Sequence, residues 1–164
     1  MKVELSNKTV PWITPDGYLD PAKFPIGGIL QQAMAADTRT FESAVRMLQM
    51  MYGGGRNEAG VFLLGLLVAS GDDWDRRLTL AEALRDVRTE ACARLLFGEL
   101  RRTKSSNTTR RYLNAVIKTL AALPAELVHE EFASLAYDKS FSEKFRRKFR
   151  AVIGDDLDSL SDWP

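Results

Sequence analysis

The side chains able to do covalent or acid-base chemistry are few, and each stands alone. His129, the single histidine, is flanked by Glu130 and Glu131, but an imidazole beside carboxylates does acid-base work only when a substrate or nucleophile comes within hydrogen-bond reach. Its place on an amphipathic segment predicts a partly exposed helix residue. Cys92 is the single cysteine. A thiol attacks as its thiolate, and the apolar register around this one predicts a small core residue instead. With one cysteine and one histidine, neither an intramolecular disulfide nor a Cys/His zinc site can be assembled. Asp72, Asp73 and Asp75 could chelate a hard cation, yet they lack the Asp-x-Asp-x-Asp-Gly spacing and distant glutamate of a calcium loop. They suit helix capping. The run Tyr52-Gly53-Gly54-Gly55-Arg56 followed by Gly60 lacks the Gly-Lys-Ser/Thr of a phosphate-binding loop and reads as a helix end followed by a turn. No nucleophile, base and orienting group can be named together, so the sequence predicts no enzyme, no cofactor and no metal.

Charge is the feature with partner content. Lys and Arg number 23 against 22 Asp and Glu, a net charge of +1, but the distribution is uneven. Residues 101–150 hold 12 basic and 5 acidic residues, net +7, whereas residues 151–164 hold no basic and 4 acidic residues, net −4. Arg101, Arg102, Lys104, Arg110 and Arg111 gather around one loop, and Arg146, Arg147 and Arg150, with Lys144 and Lys148, lie on one later segment. These are the candidate partner- or anion-binding residues. Two readings stay open: an anion-binding face, or a solvated helix surface that meets the acidic tail Asp155, Asp156, Asp158 and Asp162. That tail, DDLDSLSDWP, interleaves Leu157, Leu160 and Trp163 with its acids. Such a composition docks in a basic or apolar groove of a partner, of another copy or of its own chain.

The elements that must position this charge follow from punctuation and period. At 164 residues, 45% apolar and 27% charged, the chain is too apolar for a disordered protein and long enough for one packed domain burying roughly 70% of its unfolded surface. No apolar run reaches the roughly 18 residues that span a bilayer, and the start, MKVELSNKTVPW, lacks a signal peptide's apolar stretch. The expectation is a cytoplasmic protein in a reducing setting, with no membrane partner.

Residues 1–30 carry Pro11, Pro15, Pro21, Pro25, Gly17, Gly27 and Gly28, which predicts an irregular lead-in. Its Trp12, Ile13, Tyr18, Leu19, Phe24 and Ile26 predict that it packs on the helices beyond. A short helix near Ile29 to Ala35 and then seven main helices are expected. The first, about Thr38 to Tyr52, puts Phe41, Ala44, Val45, Leu48 and Met51 on one stripe. The second, about Asn57 to Ala69, is apolar nearly all round and is predicted to be central and the most buried. A third, capped by Asp73 or Asp75, runs to about Val87, and a fourth carries Cys92, Leu95, Leu96 and Leu100 to about Arg102. A fifth ends before Pro124, which suits the first turn of the sixth. Ser140 and Glu143 have capping-box spacing ahead of the seventh, lined by Phe141, Phe145, Phe149, Val152 and Ile153. No β pattern survives.

These helices pair at a common period. Ala44-Val45, Ala83-Leu84, Ala115-Val116 and Ala151-Val152 recur at separations of 39, 32 and 36, and Arg-Arg pairs begin at 76, 110 and 146, with Arg101-Arg102 out of phase. The segments LLGLLVASGDDWDRRLTLAEAL, LLFGELRRTKSSNTTRRYLNAVIKTL and FASLAYDKSFSEKFRRKFRAVI share a helix, a polar turn and an arginine opening the next helix. In this the chain resembles the HEAT and armadillo class of helical repeats over about residues 38–153. The resemblance implies an all-α fold of stacked antiparallel helix pairs in a right-handed superhelix, with no β-sheet, and a partner bound on the concave side. The organisation expected is a lead-in at 1–30, a HEAT-like repeat domain at 31–153 and an acidic tail at 154–164. A non-catalytic protein-interaction scaffold follows, its partner bearing an acidic segment. The alternative is a nucleic-acid-binding member using the basic 101–150 surface.

Overall fold

The computed structural model describes residues 11–154. Its helices are α1 (Ile26–Ala33), α2 (Thr38–Gly53), α3 (Asn57–Ala69), α4 (Trp74–Ala83), α5 (Glu90–Arg102), α6 (Arg110–Ala121), α7 (Ala125–Tyr137) and α8 (Glu143–Val152), with a 3-10 turn at Leu84–Asp86. Extended pairing among the described residues is confined to an isolated antiparallel bridge between Ile13 and Leu19. The class is all-α. No described helix is long and apolar enough to cross a membrane. The chain divides into two compact units after Gly65, inside α3.

In the first unit the 3.6-residue period does its expected work. Phe41, Ala44, Val45, Leu48 and Met51 of α2 are all buried, the stripe that a helix must bury to be stable. Asp37 caps the helix, its carboxylate accepting the Thr40 N–H at 2.8 Å. The glycine run ends it: Gly54 N–H donates to the Met50 carbonyl at 2.9 Å, and Gly55 takes the left-handed φ of +94° that a side chain would resist. Within the lead-in, Trp12 and Phe24 meet edge to face at 6.0 Å, and Arg56 donates to the Phe24 carbonyl. The lead-in is not irregular to its end, because α1 begins at Ile26. Pro25 stands at its N-cap, where the missing N–H costs no helical bond, and so the proline starts a helix where its density suggested none.

α3 departs from expectation. Ala59, Leu63 and Leu67, four residues apart, are fully buried, but Val61 and Val68 are 66% and 56% exposed. A helix apolar all round has no face that it must keep wet, so its composition does not select the side that packs.

In the second unit the most buried helix is α6, where Tyr112, Leu113, Ala115, Val116, Ile117, Thr119 and Leu120 are all buried. It lies against α4 and α5; α5 also lies against α7, and α7 against α8. Thr119 of α6 donates its hydroxyl to the Ala81 carbonyl of α4 at 2.8 Å. Phe97 of α5, Phe132 of α7 and Phe149 of α8 form a chain of ring contacts with centroids 5.1 and 5.8 Å apart, spacings at which edge-to-face and tilted rings attract.

The caps refine the boundaries. Asp73, not Asp75, caps α4, and Thr89 caps α5. α4 stops at Ala83, short of Val87, because the chain tightens into the 3-10 turn. Pro124 occupies the N-cap of α7 rather than its first turn. Ser140 does not cap α8: Asp138 takes its N–H at 2.8 Å in a local turn, and Ser142 caps the helix two residues later. A side chain that closes its own turn competes with the helix for the same backbone groups.

Candidate anion-binding site

The loop between α5 and α6 is the polar hinge from which the site is built. Thr109 is buried within it and holds it closed, donating its hydroxyl to the Lys104 carbonyl at 2.7 Å while accepting the Ser106 N–H at 2.9 Å. That closure places Lys104 and Ser105 beside the first turn of α6. Across the groove from them α8 opens at Ser142, and Ser142, Lys144, Phe145 and Lys148 line its far side. Lys148 of α8 donates to Asn114 Oδ1 of α6 at 2.6 Å, a bond that links the two helices at one point.

Between these elements lies an open groove of about 690 Å³. Arg101, Lys104, Arg110, Lys144 and Lys148 line it, and no Asp or Glu does. Ser105, Ser140 and Ser142 add hydroxyls, while Leu100, Leu113, Phe141 and Phe145 give it apolar wall. The N-termini of α6 and α8 open beside it and contribute partial positive charge. Lys144 and Lys148 are four residues apart on one helix face, a like-charge spacing that destabilises a helix. Burial, with Lys144 and Lys118 adding repulsion, pushes the Lys148 ammonium below its ordinary value. A bound anion would relieve that repulsion, so the lining makes the groove a candidate site for negative charge.

The predicted basic residues divide. Arg101, Lys104 and Arg110 reach the groove; Arg101 is also paired with Glu131 of α7, and Arg110 donates to Asn107 Oδ1 at 3.2 Å. Arg102 points elsewhere, to the buried carboxylate of Glu99. Arg146 and Arg150 close on Glu143 at 2.7 and 2.5 Å, and that carboxyl is held below its usual range chiefly by its hydrogen bond from Arg150. Arg111 and Arg147 are exposed and lie off the groove. Lys144 and Lys148, the lysines of the same basic segment, both line the groove, four residues apart on one helix. Arg110 with Asn114, and Lys144 with Lys148, are i, i+4 pairs, and each pair lies on the face its helix gives to the groove.

The remaining chemistry-bearing residues are placed as follows. His129 is exposed on α7. Cys92 is fully buried, and burial pushes its thiol up to about 12. Asp73 is engaged as a cap. Among the described residues no three His, Cys, Asp or Glu side chains converge to hold a metal ion. Comparison of the chain with protein-family models, with curated proteins and with solved structures finds no match.

Proposed function

We propose that this protein is a non-catalytic interaction module built from stacked antiparallel helix pairs of HEAT-like type, and that its groove receives an acidic segment of a protein partner. The observation that carries the reading is the lining of the groove: five cationic side chains with hydroxyls and apolar wall, and no carboxylate. The apolar wall favours a peptide that alternates acids with hydrophobic residues over a bare anion, because burying such residues adds binding energy that charge alone lacks. The repeat reading draws support from the order of neighbours. α4 lies on α6 and α5 on α7, as alternate helices do when pairs stack in two layers. The Ala-Val and Ala-Leu positions that recur along the sequence are buried at Ala44, Val45, Ala83, Leu84, Ala115, Val116 and Ala151. The non-catalytic reading draws support from Cys92, whose raised thiol leaves almost no thiolate at neutral pH.

The test is a fluorescence-anisotropy titration with a short labelled peptide of alternating Asp and Leu. Lys104→Ser combined with Lys144→Ser should weaken its binding at least about tenfold, or ~1.4 kcal/mol. Arg147→Ser, off the groove, should change it little. If the double substitution leaves affinity unchanged even in a chain that carries Asp155→Asn, Asp156→Asn, Asp158→Asn and Asp162→Asn, the groove is not the site.

A further inference from the structure

We infer that the groove is occupied in cis by the chain's own acidic segment, residues 155–164, which a partner must displace. The inference rests on reading the groove as a site for acidic segments, and it names the regulation of that site. Residues 155–164 lie outside the described residues, so the argument stands on charge, composition and reach.

Charge is complementary. Asp155, Asp156, Asp158 and Asp162 bring four negative charges and no positive one to a groove lined by five cations and no acid. Composition matches as well. Leu157, Leu160 and Trp163 are interspersed among those acids, and the groove offers Leu100, Leu113, Phe141 and Phe145 between its cations. Reach is sufficient. The segment leaves directly from α8, the helix that supplies Lys144 and Lys148. Gly154 adopts φ +85°, the left-handed conformation that ends a helix and turns the chain off its axis. Lys148 stands about 9 Å and Lys144 about 15 Å back along the helix from Gly154, at about 1.5 Å per residue. Ten residues beyond it extend up to about 33 to 36 Å. A short tether of this kind supplies an effective concentration in the millimolar range, so even a weak cis contact would outcompete a dilute acidic ligand.

The experiment uses the full chain and has two readouts. A nitroxide is attached through Ser161→Cys, the buried Cys92 being out of a reagent's reach, and amide signals are followed by NMR. Signals of Thr103, Ser105 and Ser140 should be bleached. They should recover with Lys104→Ser plus Lys144→Ser, or in about 1 M salt, where the Debye length falls to about 3 Å. A mixture of spin-labelled chain and isotope-labelled, nitroxide-free chain should show no bleaching. In the second readout, Asp155→Asn, Asp156→Asn, Asp158→Asn and Asp162→Asn together should tighten binding of the Asp-Leu peptide at least about tenfold relative to the native chain.

Intact groove signals, or bleaching in the mixture, overturns the inference; the latter places the segment on a second copy. Equal peptide affinity in the two chains also overturns it and leaves the partner reading standing. Bleached groove signals with no peptide binding to the tail-neutralised chain support cis occupancy and remove the partner reading instead.

Discussion

Arg77 of α4 and Glu99 of α5 form an ion pair inside the second unit, where Arg77 is 6% and Glu99 0% exposed. The same carboxylate accepts the Tyr112 hydroxyl of α6 at 2.5 Å and meets Arg102 at its other oxygen. Burial holds the Tyr112 phenol above its ordinary value, so it stays a donor. The Arg77 guanidinium also donates to the Gly71 carbonyl at 2.7 Å and lies 5.3 and 5.2 Å from the ring centres of Trp74 and Tyr112. Three helices are thus tied at one polar point, and the arginine is sandwiched where an exposed side chain would be free.

Removing one partner from that point strands the other in a dry interior. Glu99→Ala or Arg77→Ala is expected to cost about 3 to 5 kcal/mol, and Arg77→Met with Glu99→Leu to recover most of that loss, since apolar replacement of a whole buried pair is often neutral. Urea unfolding of the three variants checks this. A double variant as unstable as either single would show that the lost bonds, and not the stranded charge, dominate, and one as unstable as the two singles added together would show that the two side chains are not coupled.

For α3, the cost of truncation should follow the observed packing instead of the composition. Leu63→Ala removes a fully buried side chain and is expected to cost about 2 to 5 kcal/mol. Val68→Ala, at a largely exposed position, should stay within about 0.5 kcal/mol. Thermal or urea midpoints of the two variants decide it; equal losses would mean that the whole circumference of α3 is packed.

The contrast between α2 and α3 shows what was legible beforehand. In α2 polar residues alternate with the stripe from Phe41 to Met51, so the period itself names the buried face. α3 has no such contrast, and its exposed Val61 and Val68 could be found only from its neighbours in space. The same holds for Glu99. It reads as one more acid on an amphipathic helix, and nothing local distinguishes it from Glu90, which is exposed and pairs with Arg94. Its burial depends on Arg77 and Tyr112, which lie 22 and 13 residues away. The basic block was legible as charge but not as a site, since local acids on other turns claimed Arg102, Arg146 and Arg150. Spacing puts Lys144 and Lys148 on one face of α8, but that this face lines the groove with Arg101, Lys104 and Arg110 is a tertiary fact.

Cys92 should report opening of its unit. With its thiol pushed up to about 12 by burial, the native protein should react with a thiol reagent at neutral pH only through transient unfolding, and labelling should track the fraction opened by added urea. The sign of its pH effect follows from the same shift. The unfolded thiol ionises from about 9 while the folded one resists to about 12, so stability from this group is full below about pH 9 and is lost as pH rises through that window. Cys92→Ala should flatten the decline. Rapid labelling of the native protein at neutral pH would contradict the burial.

Duplex nucleic acid offers the sharpest contrast with an acidic peptide, because both would be drawn to the same cations. A protein that neutralises successive phosphates loses affinity with a log-log salt slope near −0.9 per phosphate, and specific peptide docking with an apolar component depends on salt less steeply. Arg110 lines the groove and Arg111 does not. If a peptide is the ligand, Arg110→Ala should weaken it severalfold and Arg111→Ala should leave it unchanged. If a duplex lies across the basic surface, both substitutions should act, each lowering the slope by about 1, because an exposed arginine beside the groove serves a phosphate as well as one within it. Titrations of the Asp-Leu peptide and of a generic duplex at several salt concentrations separate the cases. Duplex affinity weaker than about 10⁻⁴ M at physiological salt, with peptide binding sensitive to Arg110 alone, is the expected result. Micromolar duplex binding sensitive to both arginines would instead make nucleic acid the partner.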